Sequence, residues 1–203
     1  MRPSLVFLLS ALLLSTPSAA VRADPPARGI PGARDVDHVG LTVPDLDQAV
    51  KFFVDVLGAD LLWTDGPTSD PHGDSMAKKL GVDPRASMRL AMLRLGPNLN
   101  VELLEYHAPD QNIRMPLNSD VDVPHLAFYV DDVEVASKYL EEHGCYLLGG
   151  PNVTPEGNPR AGQVMRYAVT PWRFTIELVH RPDHMPYEKD TDARLYGPAA
   201  SWK

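Results

Sequence analysis

The chain has 203 residues, 44% of them hydrophobic and 23% charged, the composition of a folded domain long enough for one substantial core and short for two. Its formal net charge of −8 comes without a cluster of Lys and Arg, which excludes a nucleic-acid partner held through its phosphates. The single cysteine, Cys145, excludes a disulfide framework within the chain.

Residues 1–23 read as a cleaved secretory signal. Arg2 supplies a positive start, Leu5 to Leu14 is an almost unbroken apolar run, and small residues follow as far as Ala20 and Ala23. The run falls well short of the ~20 residues needed to cross a bilayer. The mature protein is therefore expected to be secreted or periplasmic, with no membrane contact after cleavage. Residues 24–34, rich in Pro and Gly, form a linker.

One pattern then occurs twice. The first copy runs Asp37-His38-Val-Gly-Leu-Thr-Val43, then Pro44-Asp45-Leu46 and on to Gly58; the second runs Pro124-His125-Leu-Ala-Phe-Tyr-Val130, then Asp131-Asp132-Val133 and on to Gly144. Each opens with a β-rich segment headed by a His. An Asp follows at a helix N-cap, where its carboxylate accepts free backbone N–H groups. Apolar residues recur at helical spacing (Leu46, Val50, Phe53, Val54; Val133, Ala136, Tyr139, Leu140) until a Gly closes the helix. Segment 66–86 reads as an insertion with a short helix from Asp74 to Leu80, forming a lip over the sheet.

Each copy also ends alike. Ser87–Leu95 and Leu99–Tyr106 are predicted strands around Gly96-Pro97-Asn98, and Gln163–Thr170 and Trp172–His180 repeat the arrangement around Pro171. The reading is α+β, two βαβββ modules (35–107 and 121–182) in one domain over 35–182, with a polar tail at 183–203. Cys145, where a strand follows a helix, reads as a buried structural thiol. Asn152-Val153-Thr154 matches a glycosylation sequon but is followed by Pro155 and carries little weight.

Four residues stand out against this frame. Strand side chains alternate between faces, so Glu102 opposes Val101 and Leu103, and Glu177 opposes Ile176 and Leu178. A single glutamate of this kind is ordinarily a surface residue. Here each module pairs a His on its first strand with a Glu on its last. Two imidazoles and two carboxylates, His38, Glu102, His125 and Glu177, make a mixed N/O set for a borderline divalent cation. His72 and His143 read as solvated; His107, His180 and His184 are weaker candidates for a cleft wall. Tyr106, Tyr129, Tyr167 and Trp172 read as core or cleft wall.

The opening His-Val-Gly-Leu-Thr-Val-Pro-Asp-Leu, the Glu-Leu-Leu-Glu-Tyr, the His-Leu-Ala-Phe-Tyr-Val-Asp-Asp-Val and the Ile-Glu-Leu-Val together resemble the vicinal oxygen chelate superfamily over roughly residues 35–182. That superfamily includes glyoxalase I, methylmalonyl-CoA epimerase, extradiol dioxygenases and the fosfomycin- and bleomycin-resistance proteins. The resemblance implies paired modules forming a U-shaped sheet around one divalent ion (Zn, Ni, Co, Mn or Fe). His38, Glu102, His125 and Glu177 fall on its ligand positions, a set like that of glyoxalase I or methylmalonyl-CoA epimerase. It also implies a homodimer in many members, sometimes with shared sites.

The implied chemistry is Lewis-acid assistance to proton transfer at a carbon next to a chelated carbonyl, with Glu177 and then Glu102 as proton carriers. The expected function is thus an exported isomerase, epimerase or lyase acting on a small metabolite that carries an α-hydroxy-carbonyl. Coenzyme A esters, being cytosolic, fit an exported enzyme poorly. The alternatives are a metal-free drug- or metabolite-binding protein of the same fold and, less favoured, a dioxygenase. A fourth ligand would occupy a position that an oxygenase needs open.

Overall fold

A computed structural model describes residues 29–109, 111–114 and 116–202; the leader read over 1–23 lies outside the described residues. A compact unit begins at Asp37. Its first module runs β1 (Val39–Thr42), α1 (Leu46–Asp55), β2 (Asp60–Ser69), α2 (Ser75–Leu80), β3 (Ser87–Leu95) and β4 (Leu99–His107). The second runs β5 (His125–Tyr129), α3 (Val133–Glu142), β6 (Tyr146–Val153), β7 (Val164–Val169) and β8 (Thr175–His180). Each module makes one four-stranded sheet, ordered β1-β4-β3-β2 and β5-β8-β7-β6. The first and last strands of a module lie side by side and parallel, and the other neighbours are antiparallel. This is the paired βαβββ fold expected from the repeat. Among the described residues no helix is long and apolar enough to cross a membrane.

Local chemistry starts both long helices where the sequence places them. The Asp45 carboxylate accepts the Gln48 N–H at 2.9 Å, and Asp132 accepts those of Glu134 and Val135 at 2.8 and 3.0 Å. Helix α1 buries Leu46, Ala49, Phe52 and Phe53. Helix α3 buries Val133, Ser137 and Leu140, so its inner stripe passes through Ser137, whose hydroxyl donates to the Val133 carbonyl. Tyr139, read as part of that stripe, is 41% exposed. Gly144 ends α3 at φ +87°, whereas α1 already stops at Val56, two residues before Gly58.

The insertion is shorter than the reading of 66–86. Residues 66–69 belong to β2, where Thr68 and Ser69 stand opposite Met88 and Ser87 beyond a bulge. Gly66 makes that bulge possible, since at φ +105° a Cβ would lie 2.6 Å from the Met88 carbonyl oxygen. Helix α2 is anchored by Met76, which is buried.

The helix-side faces of the two sheets share one apolar cluster that includes Phe53, Leu93, Val101, Leu103, Trp172 and Ile176. Its seam lies where α1 meets the β7–β8 turn. Phe52 and Trp172 stack edge to face with centroids 5.2 Å apart, and Phe53 and Phe174 lie 6.5 Å apart. Tyr139 of α3 donates to the Val56 carbonyl at 3.0 Å. The tail, beyond a 3-10 turn at Pro186–Lys189, ends with the Trp202 ring against Gly58, Gly96 and Phe128. Trp172→Ala removes the centre of the seam and is expected to cost about 3–5 kcal/mol in chemical denaturation, with loss of cooperativity between the modules; a change under 1 kcal/mol would show that the seam does not hold them together.

Candidate metal centre

Along β4, Val101, Leu103 and Glu105 are buried on the helix side; Asn100, Glu102, Leu104 and Tyr106 alternate to the other face. In β8, Ile176 and Leu178 join the core cluster and Thr175, Glu177 and Val179 take the opposite face. Parallel pairing then sets Gly40 beside Glu102 and Ala127 beside Glu177. These small residues leave room for the carboxylates: a Cβ on Gly40 would lie 4.0 Å from Glu102 Oε2. Two residues before each, in the same strand phase, stands the histidine. His38 Nε2 lies 3.5 Å from Glu102 Oε2, and His125 Nε2 lies 3.2 Å from Glu177 Oε2. The glutamate side chains are 22% and 11% exposed, so neither faces bulk water.

These spacings suit shared ligation. Two donors about 2.0–2.2 Å from one cation at tetrahedral or octahedral angles are themselves about 2.8–3.6 Å apart. Neutral imidazole Nε2 and an ionised carboxylate are the right species for such a shell. The chain nevertheless does not gather all four donors at one point, as the sequence reading expected. Among the described residues no group of three or more His, Cys, Asp or Glu is arranged to hold a metal ion. The helix sides of the two sheets pack into one core, and each sheet carries one His–Glu pair on its other face.

The pairs have different surroundings. His38 Nδ1 donates to the Asp37 carboxylate at 2.7 Å, which directs Nε2 at Glu102. That hydrogen bond, followed by the charge of Glu102, holds the His38 pKa above its usual value against the opposing effect of burial. The second module has Pro124 at the corresponding position and no such carboxylate. There Tyr167, across the ladder from Glu177, packs edge-on to His125 at 5.8 Å. Burial, then the charge and hydrogen bonding of Glu177, raise the Tyr167 pKa, so its hydroxyl keeps its proton beside Glu177. Tyr106 is likewise raised by burial and by Glu102. Asp37 was legible as the carboxylate next to a candidate ligand; the role of Tyr167 requires the strand register.

The other histidines lie off these faces. His107 Nε2 pairs with Glu105 on the helix side at 2.9 Å. His180 Nδ1 donates to the Val130 carbonyl, His143 contacts Tyr139, His184 pairs with Glu188, and His72 is exposed. Glu105 shows what a carboxylate needs on the core side. It is buried and accepts from the Leu46 N–H of α1 and from Arg89, each at 3.3 Å, as well as from His107.

A family profile described as Glyoxalase/Bleomycin resistance protein/Dioxygenase superfamily matches residues 37–162. A 2-epi-5-epi-valiolone epimerase from Actinomyces sp is 50% identical over 176 residues, covering 86% of this chain and 94% of that protein. A lactoylglutathione lyase from Schizosaccharomyces pombe is 25% identical over 166 residues, 74% of this chain and 49% of that protein; this chain thus spans about half of it. A solved glyoxalase family protein from Bacillus cereus, 20% identical, superposes with a TM-score of 0.55 over 75% of this chain and 99% of that one, a likeness of fold.

Cys145 is buried in the apolar cluster, and burial pushes its thiol pKa from 9.0 up to about 11. A thiol in that state is no nucleophile. Thiol-specific reagents are expected to label it at neutral pH only on unfolding; rapid labelling of the native protein would contradict the structural role. The sign of the pH effect follows. Between 9.0 and about 11 the folded state binds more protons than the unfolded one, so this residue's contribution to stability is lost as pH rises through that window.

Proposed function

The chain belongs to the glyoxalase/bleomycin resistance protein/dioxygenase superfamily, and on that premise we propose that it is a metal-dependent epimerase, moving a proton at the carbon beside the carbonyl of a small hydroxylated ketone. One observation carries this reading: two His–Glu pairs at the spacing of neighbouring donors in a single coordination sphere. The 50% identity to a 2-epi-5-epi-valiolone epimerase supports a cyclic, polyhydroxylated ketone of that kind as the substrate class. The leader read over residues 1–23 supports export, and with it a free metabolite in place of a coenzyme A ester.

His38, Glu102, His125 and Glu177 would hold a divalent cation, which when bound would polarise the substrate carbonyl and acidify the adjacent C–H bond. Glu177, the less exposed carboxylate and the one backed by Tyr167, takes the proton. Glu102 returns a proton on the opposite face of the same carbon. One C–H bond breaks and one forms, with no change of oxidation state, so no redox partner is required. Inversion needs a proton carrier on each face, and a pair of modules with one carboxylate each supplies them.

Because one chain keeps the pairs apart, we take the complete site to form between two copies, His38 and Glu102 of one meeting His125 and Glu177 of the partner subunit. Two-fold symmetry then gives two equal sites per dimer. The purified protein is expected to be a dimer holding one divalent ion per chain. It should place solvent deuterium on the carbon next to the carbonyl of 2-epi-5-epi-valiolone and lose that activity to a chelator. Glu177→Gln and Glu102→Gln should each lower kcat by about 10²–10⁴-fold. Mixing the two inactive variants with subunit exchange should restore about one quarter of wild-type activity, because random pairing leaves that share of sites intact. No recovery would refute the shared site, and a metal-free protein without exchange activity would refute the enzyme.

A further inference from the structure

The two His–Glu faces offer different chemistry. Across the ladder from Glu102 the face is apolar, with Met92 directly opposite and Leu90 paired with Leu104 one step on, and the polar Asn100 and Tyr106 lie further along β4 itself. Around Glu177 the face is rich in hydroxyls. Thr175 is the ladder partner of His125, Val169 pairs with Thr175, and Tyr146 pairs with Val169. These residues, with Arg173 at the β7–β8 turn, line a cavity of about 420 Å³. Leu117, Leu148 and Pro171 complete its wall; His125 and Glu177 do not line it, but by register Tyr146, Val169 and Thr175 lie on the sheet face that carries them.

Arg173 has two unusual properties. Its backbone lies in the left-handed region at φ +67°, which side chains rarely adopt and which persists only where the surroundings impose it. Here the turn is fixed by the Arg173 N–H to the Thr170 carbonyl at 2.8 Å, the Thr170 N–H to the Phe174 carbonyl at 2.9 Å, and the Phe174 N–H to Thr170 Oγ1 at 3.0 Å. Its exposed guanidinium also makes no ion pair or hydrogen bond among the described residues. A planar fork of N–H donors matches two neighbouring oxygens, and a vicinal diol presents such a pair.

We propose that this cavity receives the part of the substrate remote from the reacting carbon, and that Arg173, aided by Tyr146 and Thr175, sets specificity for a polyhydroxylated ketone by binding its ring hydroxyls. The assignment deepens the epimerase reading and rests on it for the reaction. In a site shared between two copies, the apolar Met92–Leu90 face would meet the C–H face of the ring while the second module grips its hydroxyls.

The test uses the metal-loaded protein with two ketones, 2-epi-5-epi-valiolone and 2-hydroxycyclohexanone, which lacks the remote hydroxyls. Binding is measured by calorimetry and turnover by deuterium incorporation from solvent. Arg173→Gly suits the backbone conformation, so its Tm should equal or exceed that of wild type. For 2-epi-5-epi-valiolone it should raise KM and Kd about tenfold with kcat changed less than about threefold, and Arg173→Lys should recover part of the loss. For 2-hydroxycyclohexanone both constants should stay within about twofold. Unchanged binding of 2-epi-5-epi-valiolone, a fall in kcat alone, or equal losses for both ketones would overturn the assignment. If the wild type binds 2-epi-5-epi-valiolone through Arg173 without exchanging its hydrogen, the pocket stands and the epimerase reading falls; if the wild type exchanges and Arg173→Gly keeps its KM and Kd for that ketone, the reverse holds.

Discussion

The seam between the modules governs the rest of the molecule. Phe52, Phe53, Trp172 and Phe174 meet where α1 reaches the β7–β8 turn, and each large apolar side chain buried there contributes roughly 1.5–3 kcal/mol. Attraction between a half-exposed imidazole and a carboxylate is worth about 0–1 kcal/mol. Packing therefore decides which way the sheets face, and the His–Glu pairs go where it leaves them. Glu105 marks the contrast. On the core side a carboxylate is accompanied by an arginine, a backbone N–H and an imidazole. Glu102 and Glu177 each have one imidazole within reach and keep further acceptor capacity, as the proposed metal site would use.

The repeat supplies a symmetric frame, and substitutions within it break the symmetry. Gly40 and Ala127 are both small and both stand beside a glutamate, so both modules can bring a histidine close. The flanking residues then diverge: Asp37 against Pro124 before the histidine, and Met92 against Tyr167 across from the glutamate. In the proposed shared site that symmetric frame would supply the two opposed carboxylates that inversion at one carbon requires. The divergence would give that site a polar side and an apolar side, so that a ring could enter in one orientation.

What was legible in the sequence is what short-range physics decides. Asp45 and Asp132 cap their helices through N–H groups two or three residues away. The phase of Glu102 and Glu177 follows from strand alternation alone. The start of the insertion read at 66 is too early, because the β2 ladder resumes past a bulge at Thr68 and Met88, and Gly-Pro pairs inside a strand are rare enough to hide that. The separation of the two pairs was not legible, because it is set by contacts distant in sequence: Trp172 on Phe52, Tyr139 on Val56, Trp202 against Gly58 and Gly96. No local pattern encodes them. The structural tail was hidden for the same reason, since its one large anchor lies at position 202, amid polar residues.

The inequality of the two pairs bears on the order of proton transfer in the proposed reaction. Asp37 fixes the His38 ring at 2.7 Å, so the first pair is held in one orientation and suits the task of ligation. His125 has no carboxylate behind it and rests against the edge of Tyr167. Glu177 is half as exposed as Glu102 and has beside it the Tyr167 hydroxyl, which burial keeps protonated. A hydroxyl beside a carboxylate sheltered from water can follow the change of charge as a proton arrives. The same proton transfer at Glu102 would occur in a wetter setting with no comparable donor opposite, since Met92 occupies that position. Removal by Glu177 and return by Glu102 is thus the sequence that asks least of the structure.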